Sequence, residues 1–447
     1  MKLSLSAPLR LCAFALIFAI GCVHGPKQQR SSSQTAGFYS QKLAAIDEAI
    51  ASAISSNKLP GGVLWIEHDN RSYHRAYGKR SVDPVEAMTE DTIFDAASLT
   101  KVVATTSAIM RLYERGQIDL EAPVSKYLPE FNWPKQQPIT VRQLLTHVSG
   151  LRPDVSLTES WSGYNTGIHL ALEEQPTTTP GTAFRYSDIN FILLGEIVHR
   201  VSGKPLNEFT AHEIFEPLGM THTGFLPKNP ALVAPTTRET NGFVRGIVHD
   251  PTARRMDGVA GHAGLFITAS DLARFARMML NGGELEGKRI FKPETVALFT
   301  SVQSPANLPR RGLGWDIDSP YAGPRGKYFP VGSYGHTGWT GGSLWIDPFS
   351  KSFVIFMSNR NHPTEAGNVV PLRYLIGTLA AEAIPDFNFV YVPDALEKRP
   401  ERPTVTSRAV LNGIDVLKRE EFASLKGLRI GLITNHTGHD RERNPTI

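Results

Sequence analysis

Strand-forming segments occur near both ends of residues 38–390, and a long helical stretch separates the two groups. A sheet can bury its apolar residues only if these distant segments pair, so the middle of the chain must leave the sheet and return to it. The sequence therefore predicts an α+β fold: an antiparallel sheet flanked by helices, with an inserted all-helical lobe and a cleft between the two. The predicted strands are 63–67, 72–77, 312–317, 342–347 and 352–358.

The predicted helices carry apolar residues at spacings of three and four. In the first of them, Leu43, Ile46, Ile50 and Ile54 form one stripe. We expect such stripes to face the hydrophobic core. The predicted helices are 39–56, 98–115, 190–202, 207–214, 271–281 and 370–383.

Ser98 and Lys101 place a hydroxyl and an amine three residues apart in the segment FDAASLTK. On a helix, side chains at i and i+3 share a face about 5–6 Å apart, so the amine can reach the hydroxyl. A lysine can take a proton from serine only if burial or a nearby positive charge lowers its pKa. The apolar residues 102–104 would bury Lys101 in this way. Because S-x-x-K also occurs by chance on exposed helices, the pair needs further support.

Two further segments supply that support. FRYSD, at residues 184–188, follows a turn and precedes a helix, and YGHTGWTGG, at 334–342, precedes a strand. In order and spacing, the three motifs resemble those of the serine β-lactamase and penicillin-binding-protein family, nearest to its class C-like branch and close to the cell-wall amidase subgroup. The resemblance spans about residues 38–390 and implies the fold derived above and an acyl-enzyme mechanism.

The resemblance also assigns the reacting groups. It makes Ser98 the nucleophile, Lys101 the base, and Tyr186 the group that carries the proton to the leaving atom, with a pKa lowered by neighbouring cations. The backbone N–H groups of Ser98 and Trp339 would form the oxyanion hole. The alternative for Tyr186 is a buried structural tyrosine.

The resemblance assigns substrate binding to Asp188, His336, Thr337 and Gly338. His336 would orient the substrate or assist proton transfer, and Gly338 would let the substrate backbone approach the strand. Asp188 stands where the family usually has asparagine. An ionised aspartate only accepts hydrogen bonds, so it would repel a substrate carbonyl and pair with Lys101. The alternative is that Asp188 only caps the helix beginning at Ile189.

The N-terminus has the features of an export signal. Two basic residues precede a continuous apolar run at 11–20, which is too short to span a membrane, and Cys22 follows. Residues 1–22 resemble a bacterial lipoprotein signal in which Cys22 becomes the lipid-bearing residue, and 23–37 would be a flexible stalk. We expect an exported, membrane-anchored lipoprotein, periplasmic or cell-surface. The alternative is plain secretion, with Cys22 incidental.

The composition changes after the hydrolase-like region. Residues 391–407 are rich in proline and charged residues, which is typical of a linker. Residues 408–447 include GLRIGLITNHTG and resemble the opening of an exo-acting N-acetylmuramidase domain. About forty residues are too few to bury a core of their own. The alternative is an extension unrelated to that family.

Charge and histidine spacing argue against several other functions. The net charge is +4 over 447 residues, with no basic run interleaved with aromatic residues, so nucleic acid is not an expected partner. The spacing of His249, Asp250 and His262 matches no zinc pattern, and we interpret them, with His147, as hydrogen-bonding residues of loops and core. We expect a monomer that needs no cofactor and no metal.

Three functions remain open. The first is a cell-wall amidase that removes peptide from N-acetylmuramic acid and acts on peptidoglycan fragments. The second is a D-alanyl-D-alanine carboxypeptidase, β-lactamase or esterase that applies the same chemistry to other acyl substrates. The third is a binding module that is acylated but does not turn over. The muramidase-like segment favours the first.

We predict a diacylglyceryl adduct on Cys22, because lipoprotein processing would make this cysteine the first residue of the mature chain. Intact-mass analysis or palmitate labelling of the membrane fraction measures it. A soluble, unmodified product that begins after Gly21 would indicate plain secretion instead.

Overall fold

An eight-stranded sheet runs through this computed structural model, and neighbouring strands in it are antiparallel. The structure describes residues 37–133, 137–240, 242–398, 417 and 420–427. The described helices are α1 (Ser40–Ser55), α2 (Ser107–Glu114), α3 (Val141–Leu145), α4 (Tyr164–Glu173), α5 (Asp188–Ser202), α6 (Leu206–Thr210), α7 (Pro251–Arg255), α8 (Ala269–Leu280), α9 (Pro293–Thr300) and α10 (Val370–Ala383). The described strands are β1 (Gly61–His68), β2 (Arg71–Val82), β3 (Val85–Ala87), β4 (Phe94–Asp95), β5 (Gly224–Phe225), β6 (Arg238–Glu239), β7 (Gly242–Phe243), β8 (Leu265–Ile267), β9 (Glu284–Leu285), β10 (Lys288–Arg289), β11 (Arg310–Arg311), β12 (Asp316–Asp318), β13 (Tyr334–Thr337), β14 (Ser343–Asp347) and β15 (Ser352–Ser358).

The N-terminal and C-terminal strand groups meet inside one sheet. Its strand order is β11-β12-β13-β14-β15-β1-β2-β3. β1 pairs with β15 from Gly62 opposite Ser358 to His68 opposite Ser352. The residues between β3 and β11 therefore form the inserted lobe, and the predicted α+β fold is confirmed.

The two faces of the sheet belong to different apolar clusters. Val63 lies in a cluster that includes Phe275 of α8, whereas its neighbour Leu64 lies in a cluster with Ile46 of α1 and Ile376 of α10. Successive strand side chains point to opposite faces, so continuous apolar runs in β1 and β15 serve both clusters. The sheet is thereby covered by α1 and α10 on one face and by the lobe on the other.

The structure corrects the sequence prediction in three places. The predicted helix 98–115 consists of a 3-10 turn at Ala97–Leu99, a π-helix at Lys101–Thr106 and then α2. The predicted strand 312–317 was wrong, because Gly314 has φ 81° and separates the short strands β11 and β12. The inserted lobe is not all-helical, since it contains the strands β4 to β10. These strands have only two or three residues, which is too short for an alternation of apolar and polar residues to be recognised in the sequence.

The chain divides into two units between Ala395 and Leu396. The described part of the second unit contains a 3-10 turn at Ala423–Leu425. The predicted signal peptide at 1–22, nearly all of the stalk at 23–37, and much of the segments 391–407 and 408–447 lie outside the described residues, so these boundaries stay predictions. Within the described ranges, no helix has both the length and the apolar character needed to cross a membrane.

An ion pair between a half-buried arginine and a buried carboxylate joins α8 to the sheet. Arg277 donates from Nε and Nη2 to the two carboxylate oxygens of Glu67, at 2.6 Å each. Glu67 is only 3% exposed, and Trp65 also donates to its carboxylate from Nε1, at 3.3 Å. A buried carboxylate is tolerated when it is paired and hydrogen-bonded in this way. The pair therefore fixes a helix of the lobe against β1.

Arg277→Met should lower the free energy of unfolding by about 3 kcal/mol, because it leaves the buried carboxylate of Glu67 without a cation. Urea denaturation followed by circular dichroism measures the change. Arg238→Met is the matched control: it removes an exposed pair with Asp83, at 2.9 Å, and should cost less than about 1 kcal/mol. Equal losses in the two variants would contradict this account of the pair.

Candidate active site

Ser98 lies on a strained turn between β4 and the π-helix. Ala97 has φ 45°, in the left-handed region, which costs a residue with a Cβ atom about 1–2 kcal/mol. The buried carboxylate of Asp95 holds the turn, since it accepts the N–H groups of Ala97 at 2.8 Å and of His249 at 2.7 Å. Ser98 stays partly exposed while Ala97 and Leu99 are buried. The turn therefore leaves the serine side chain accessible to solvent, while hydrogen bonds to Asp95 hold its backbone in place.

Lys101 is fully buried beside Ser98. Its Nζ donates to Ser98 Oγ at 3.0 Å and to the carbonyl oxygen of His262 at 3.0 Å. It also forms an ion pair with the carboxylate of Asp188 at 2.6 Å. The approach of the His262 carbonyl depends on Gly261, where a Cβ atom would lie 1.9 Å from the carbonyl oxygen of Phe191. Two hydrogen bonds and one ion pair therefore surround this buried ammonium group.

Two opposing effects set the pKa of Lys101. Burial lowers it, as the sequence analysis expected, but the charge of Asp188 and the contact with Tyr186 raise it by more. The net pKa lies above its usual value, so Lys101 is an ammonium ion at rest. The ion pair that the sequence predicted between Asp188 and Lys101 is present, and it favours the protonated form of Lys101.

Tyr186 is the third member of the cluster. Lys101 Nζ lies 5.0 Å from the centre of its ring, and Ser98 and Lys101 both act to lower the pKa of its hydroxyl. Burial raises the pKa of Tyr186 and Asp188 adds to the rise, while Lys101 lowers it by less. Lys101 lowers the pKa of Tyr186, as expected of a neighbouring cation, but burial raises it by more, so the net pKa lies above its usual value. Tyr186 is a neutral phenol at rest.

His147 supports Tyr186, a role that the sequence analysis missed. The two rings stack with centres 4.4 Å apart and planes 23° apart. His147 Nδ1 accepts the N–H of Ser187 at 3.1 Å, and its carbonyl oxygen accepts the N–H of Arg185 at 2.9 Å. Burial, with Arg311 and Lys101 nearby, lowers the pKa of His147 well below its usual value, so the ring is neutral. No feature of its own sequence neighbourhood indicates contact with a segment forty residues later.

His336, Thr337 and Gly338 lie at the end of β13, as predicted for the strand that borders the cleft. His336 Nδ1 contacts the carbonyl oxygen of Thr337 at 2.8 Å, so this nitrogen carries the proton. Burial, with Arg311 and Lys101 nearby, lowers the pKa of His336 well below its usual value. Gly338 packs against the serine turn, where a Cβ atom would lie 2.5 Å from the carbonyl oxygen of Ala96. Only glycine allows so close an approach.

Asp188 is the first residue of α5 rather than the cap before it, because the helix begins at Asp188 and not at Ile189. Ser187 occupies the capping position and donates from Oγ to the carbonyl oxygen of Arg152 at 2.5 Å. The Asp188 carboxylate faces Lys101 instead of the helix N–H groups. Of the two interpretations from the sequence, the geometry favours the ion pair.

The other predicted histidines are hydrogen-bonded to protein groups. His262 Nε2 lies 2.9 Å from a carboxylate oxygen of Asp250. Burial lowers the pKa of His262, but Asp250 raises it by more. His249 Nε2 lies 2.9 Å from Glu365 and 2.8 Å from Asn361 Nδ2. Across the described ranges, no three side chains of His, Cys, Asp or Glu are arranged to hold a metal ion.

Comparison with known proteins identifies the family. A family model described as "Beta-lactamase" matches residues 45–377. The chain belongs to the β-lactamase family. This β-lactamase-family chain is therefore a serine hydrolase, and the serine that the site presents beside a buried lysine is consistent with that chemistry.

Named relatives and solved structures agree with this family. The chain is 34% identical over 387 residues to an "N-acetylmuramyl-L-alanine amidase" of Bacillus subtilis, covering 76% of this chain and 86% of the relative. It is 30% identical over 398 residues to a "Putative D-alanyl-D-alanine carboxypeptidase" of Escherichia coli, covering 79% and 90%. A penicillin-binding-protein homologue from Caulobacter crescentus has the same fold, with a TM-score of 0.62 at 22% identity, covering 76% of this chain and 97% of that one.

Asp188→Asn should shift the acidic limb of the pH–rate profile to lower pH, by about 1–3 pH units. Asp188 raises the pKa of Lys101, so removing its charge lets the amine lose its proton at lower pH. The pH dependence of the rate of fluorophosphonate labelling measures the limb. The asparagine should also speed acylation by benzylpenicillin, because its amide can donate to a substrate carbonyl.

Asp386→Asn is the matched control for this experiment, since Asp386 pairs with His68 and Arg71 rather than with Lys101. Its pH profile should equal that of the wild type. A profile for Asp188→Asn that also equals the wild type would show that Asp188 does not control the protonation of Lys101.

Proposed function

We propose that this chain is an amidase that hydrolyses the bond between the lactyl group of N-acetylmuramic acid and the first alanine of the cell-wall peptide. The proposal depends on one observation above all: the carboxylate of Asp188, which stands where the family usually has asparagine, pairs with Lys101 at 2.6 Å. The similarity to a Bacillus subtilis protein named as an amidase of this specificity supports it.

Asp188 favours an acyl group without an amide side chain. Penicillins and D-alanyl-D-alanine peptides carry an acylamino group next to the reacting carbonyl. A carboxylate has no donor for the carbonyl oxygen of that group and repels it. The lactyl group of muramic acid instead carries an ether oxygen linked to the sugar at that position. The muramyl acyl group therefore avoids the unfavourable contact.

His336 favours a leaving group without a terminal carboxylate. Its low pKa keeps it neutral near pH 7, so it offers no positive charge to a carboxylate bound along β13. A D-alanyl-D-alanine peptide presents its C-terminal carboxylate one residue beyond the scissile bond. In a muramyl peptide, that carboxyl group is an amide.

The proposed reaction proceeds in two steps. In acylation, Ser98 Oγ bonds to the lactyl carbonyl carbon, the carbon–nitrogen bond breaks, and the serine proton passes through Lys101 and Tyr186 to the leaving nitrogen. Water then attacks the ester, one of its protons passes to Ser98 Oγ as the ester bond breaks, and the lactyl carboxylic acid leaves and gives its remaining proton to the solvent. Because Lys101 rests as an ammonium ion, the site must first lose one proton, so the rate rises with pH.

The proposed setting is the cell envelope. Export, with a lipid anchor at Cys22, would place a monomeric enzyme where peptidoglycan fragments occur. The resemblance of residues 408–447 to the opening of a muramidase domain supports a substrate of this class. The second candidate activity is a D-alanyl-D-alanine carboxypeptidase, which the Escherichia coli relative favours.

Ser98→Ala and Lys101→Met should each reduce the hydrolysis of muramyl dipeptide by about 10⁴-fold or more, and by similar factors, because the two groups act as a unit. Release of the free dipeptide, followed by liquid chromatography, measures the rate. Ser202→Ala, at the end of α5, is the matched control and should retain full activity.

Parallel assays with a D-alanyl-D-alanine peptide, nitrocefin and a p-nitrophenyl ester distinguish the alternatives. The proposal predicts the highest kcat/KM for muramyl dipeptide. A higher value for the D-alanyl-D-alanine peptide would replace the proposal with the second candidate. Labelling without turnover of any substrate would indicate a binding module.

A further inference from the structure

Arg373 is a buried arginine that binds backbone carbonyl groups behind the turn at residues 338–342. It lies on α10 and is 7% exposed. Its Nη2 donates to the carbonyl oxygens of Gly338 and Gly342, each at 2.7 Å. Burial, with Arg360 nearby, lowers its pKa to about 9, so it keeps its charge at neutral pH. Within the described ranges it has no carboxylate partner at ion-pairing distance, although burying an unpaired charge is costly.

The turn that Arg373 holds is packed directly against the serine turn. Within it, Gly338 N–H donates to the carbonyl oxygen of Gly342 at 2.7 Å, and Gly341 N–H donates to that of Gly338 at 3.2 Å. Thr340 Oγ1 donates to the carbonyl oxygen of Asp95 at 2.7 Å. The turn is therefore fixed to the Ser98 side by Thr340 and to α10 by Arg373.

The Gly338–Trp339 peptide links Arg373 to the predicted oxyanion hole. This peptide bond is trans, since the cis bonds of the described residues are Asp83–Pro84 and His362–Pro363. In a trans peptide the C=O and N–H groups point in opposite directions. Because Arg373 holds the carbonyl of Gly338 on the α10 side, the N–H of Trp339 points away from α10. Among the described residues that N–H has no acceptor.

We propose that Arg373 is a positioning residue for the oxyanion hole, an inference that rests on the proposed acyl-enzyme function. Its two hydrogen bonds to Gly338 and Gly342 set the orientation of the Gly338–Trp339 peptide. The N–H of Trp339 is thereby held ready for the negative oxygen that forms when Ser98 attacks. The charge of Arg373 on the carbonyl side also polarises the peptide and strengthens its N–H as a donor.

The test compares phosphorylation of Ser98 by paraoxon and by parathion, its sulfur analogue. An oxyanion hole favours the P=O compound, because sulfur accepts hydrogen bonds poorly. Arg373→Met should slow the reaction with paraoxon by about 10²-fold, the usual effect of losing one oxyanion donor. It should slow the reaction with parathion much less, so the ratio of the two rates falls. Arg373→Lys, which keeps the charge but not the fork geometry, should give an intermediate ratio.

The rate ratio separates positioning from simple destabilisation. A loss of folded protein slows both reactions equally, so an unchanged ratio in Arg373→Met and in Arg373→Lys would overturn the inference. If Arg373→Met does not fold, the ratio of the paraoxon and parathion rates in Arg373→Lys tests the inference alone. Arg111→Met is the matched control: it removes an arginine that donates to the carbonyl oxygen of Ile290 at 2.7 Å in the lobe, and should keep the wild-type ratio.

The same probes distinguish a failure of the inference from a failure of the proposed function. Paraoxon requires an activated serine but not a particular acyl group, so a poor rate with muramyl dipeptide would leave this test intact. A wild-type protein that paraoxon does not label on Ser98 would overturn the proposed function and this inference with it.

Discussion

The ammonium group of Lys101 is the constraint around which the active site is built. A buried charge is stabilised when it is paired with an opposite charge and hydrogen-bonded. Lys101 donates to Ser98 and to the loop carbonyl of His262, and it forms an ion pair with Asp188 at the start of α5. Satisfying one buried amine therefore fixes the relative positions of three separate chain segments. The position of Ser98, the proposed nucleophile, follows from these contacts.

The ion pair with Asp188 also determines how the site can work. It raises the pKa of Lys101, and burial raises that of Tyr186, so the resting site holds an ammonium ion and a phenol. Neither is a base in that state, and the site gains one only when a proton leaves. We therefore expect the reaction rate to depend on pH. Under the proposed function, the same carboxylate would also discriminate among acyl groups.

Local sequence patterns predicted much of the fold, and the structure places the predicted residues Ser98, Lys101, Tyr186 and Asp188 close together. The stripe from Leu43 to Ile54 predicted α1, and the apolar run at 352–358 predicted β15, because both elements are long and regular. The π-helix at Lys101–Thr106 was not predictable, since its register depends on partners outside the helix. His147 and Arg373 were also missed. Each acts on a backbone segment more than thirty residues away. The spacing of apolar residues along the chain does not indicate contacts of this kind.

The most direct test of the account is to trap the covalent intermediate with its own substrate. Wild-type protein is mixed with muramyl dipeptide, quenched in acid within milliseconds, digested and mapped by mass spectrometry. The account predicts an N-acetylmuramyl group in ester linkage to Ser98, with the dipeptide released into solution. A dipeptide fragment on the protein, or a muramyl group on any residue other than Ser98, would contradict it.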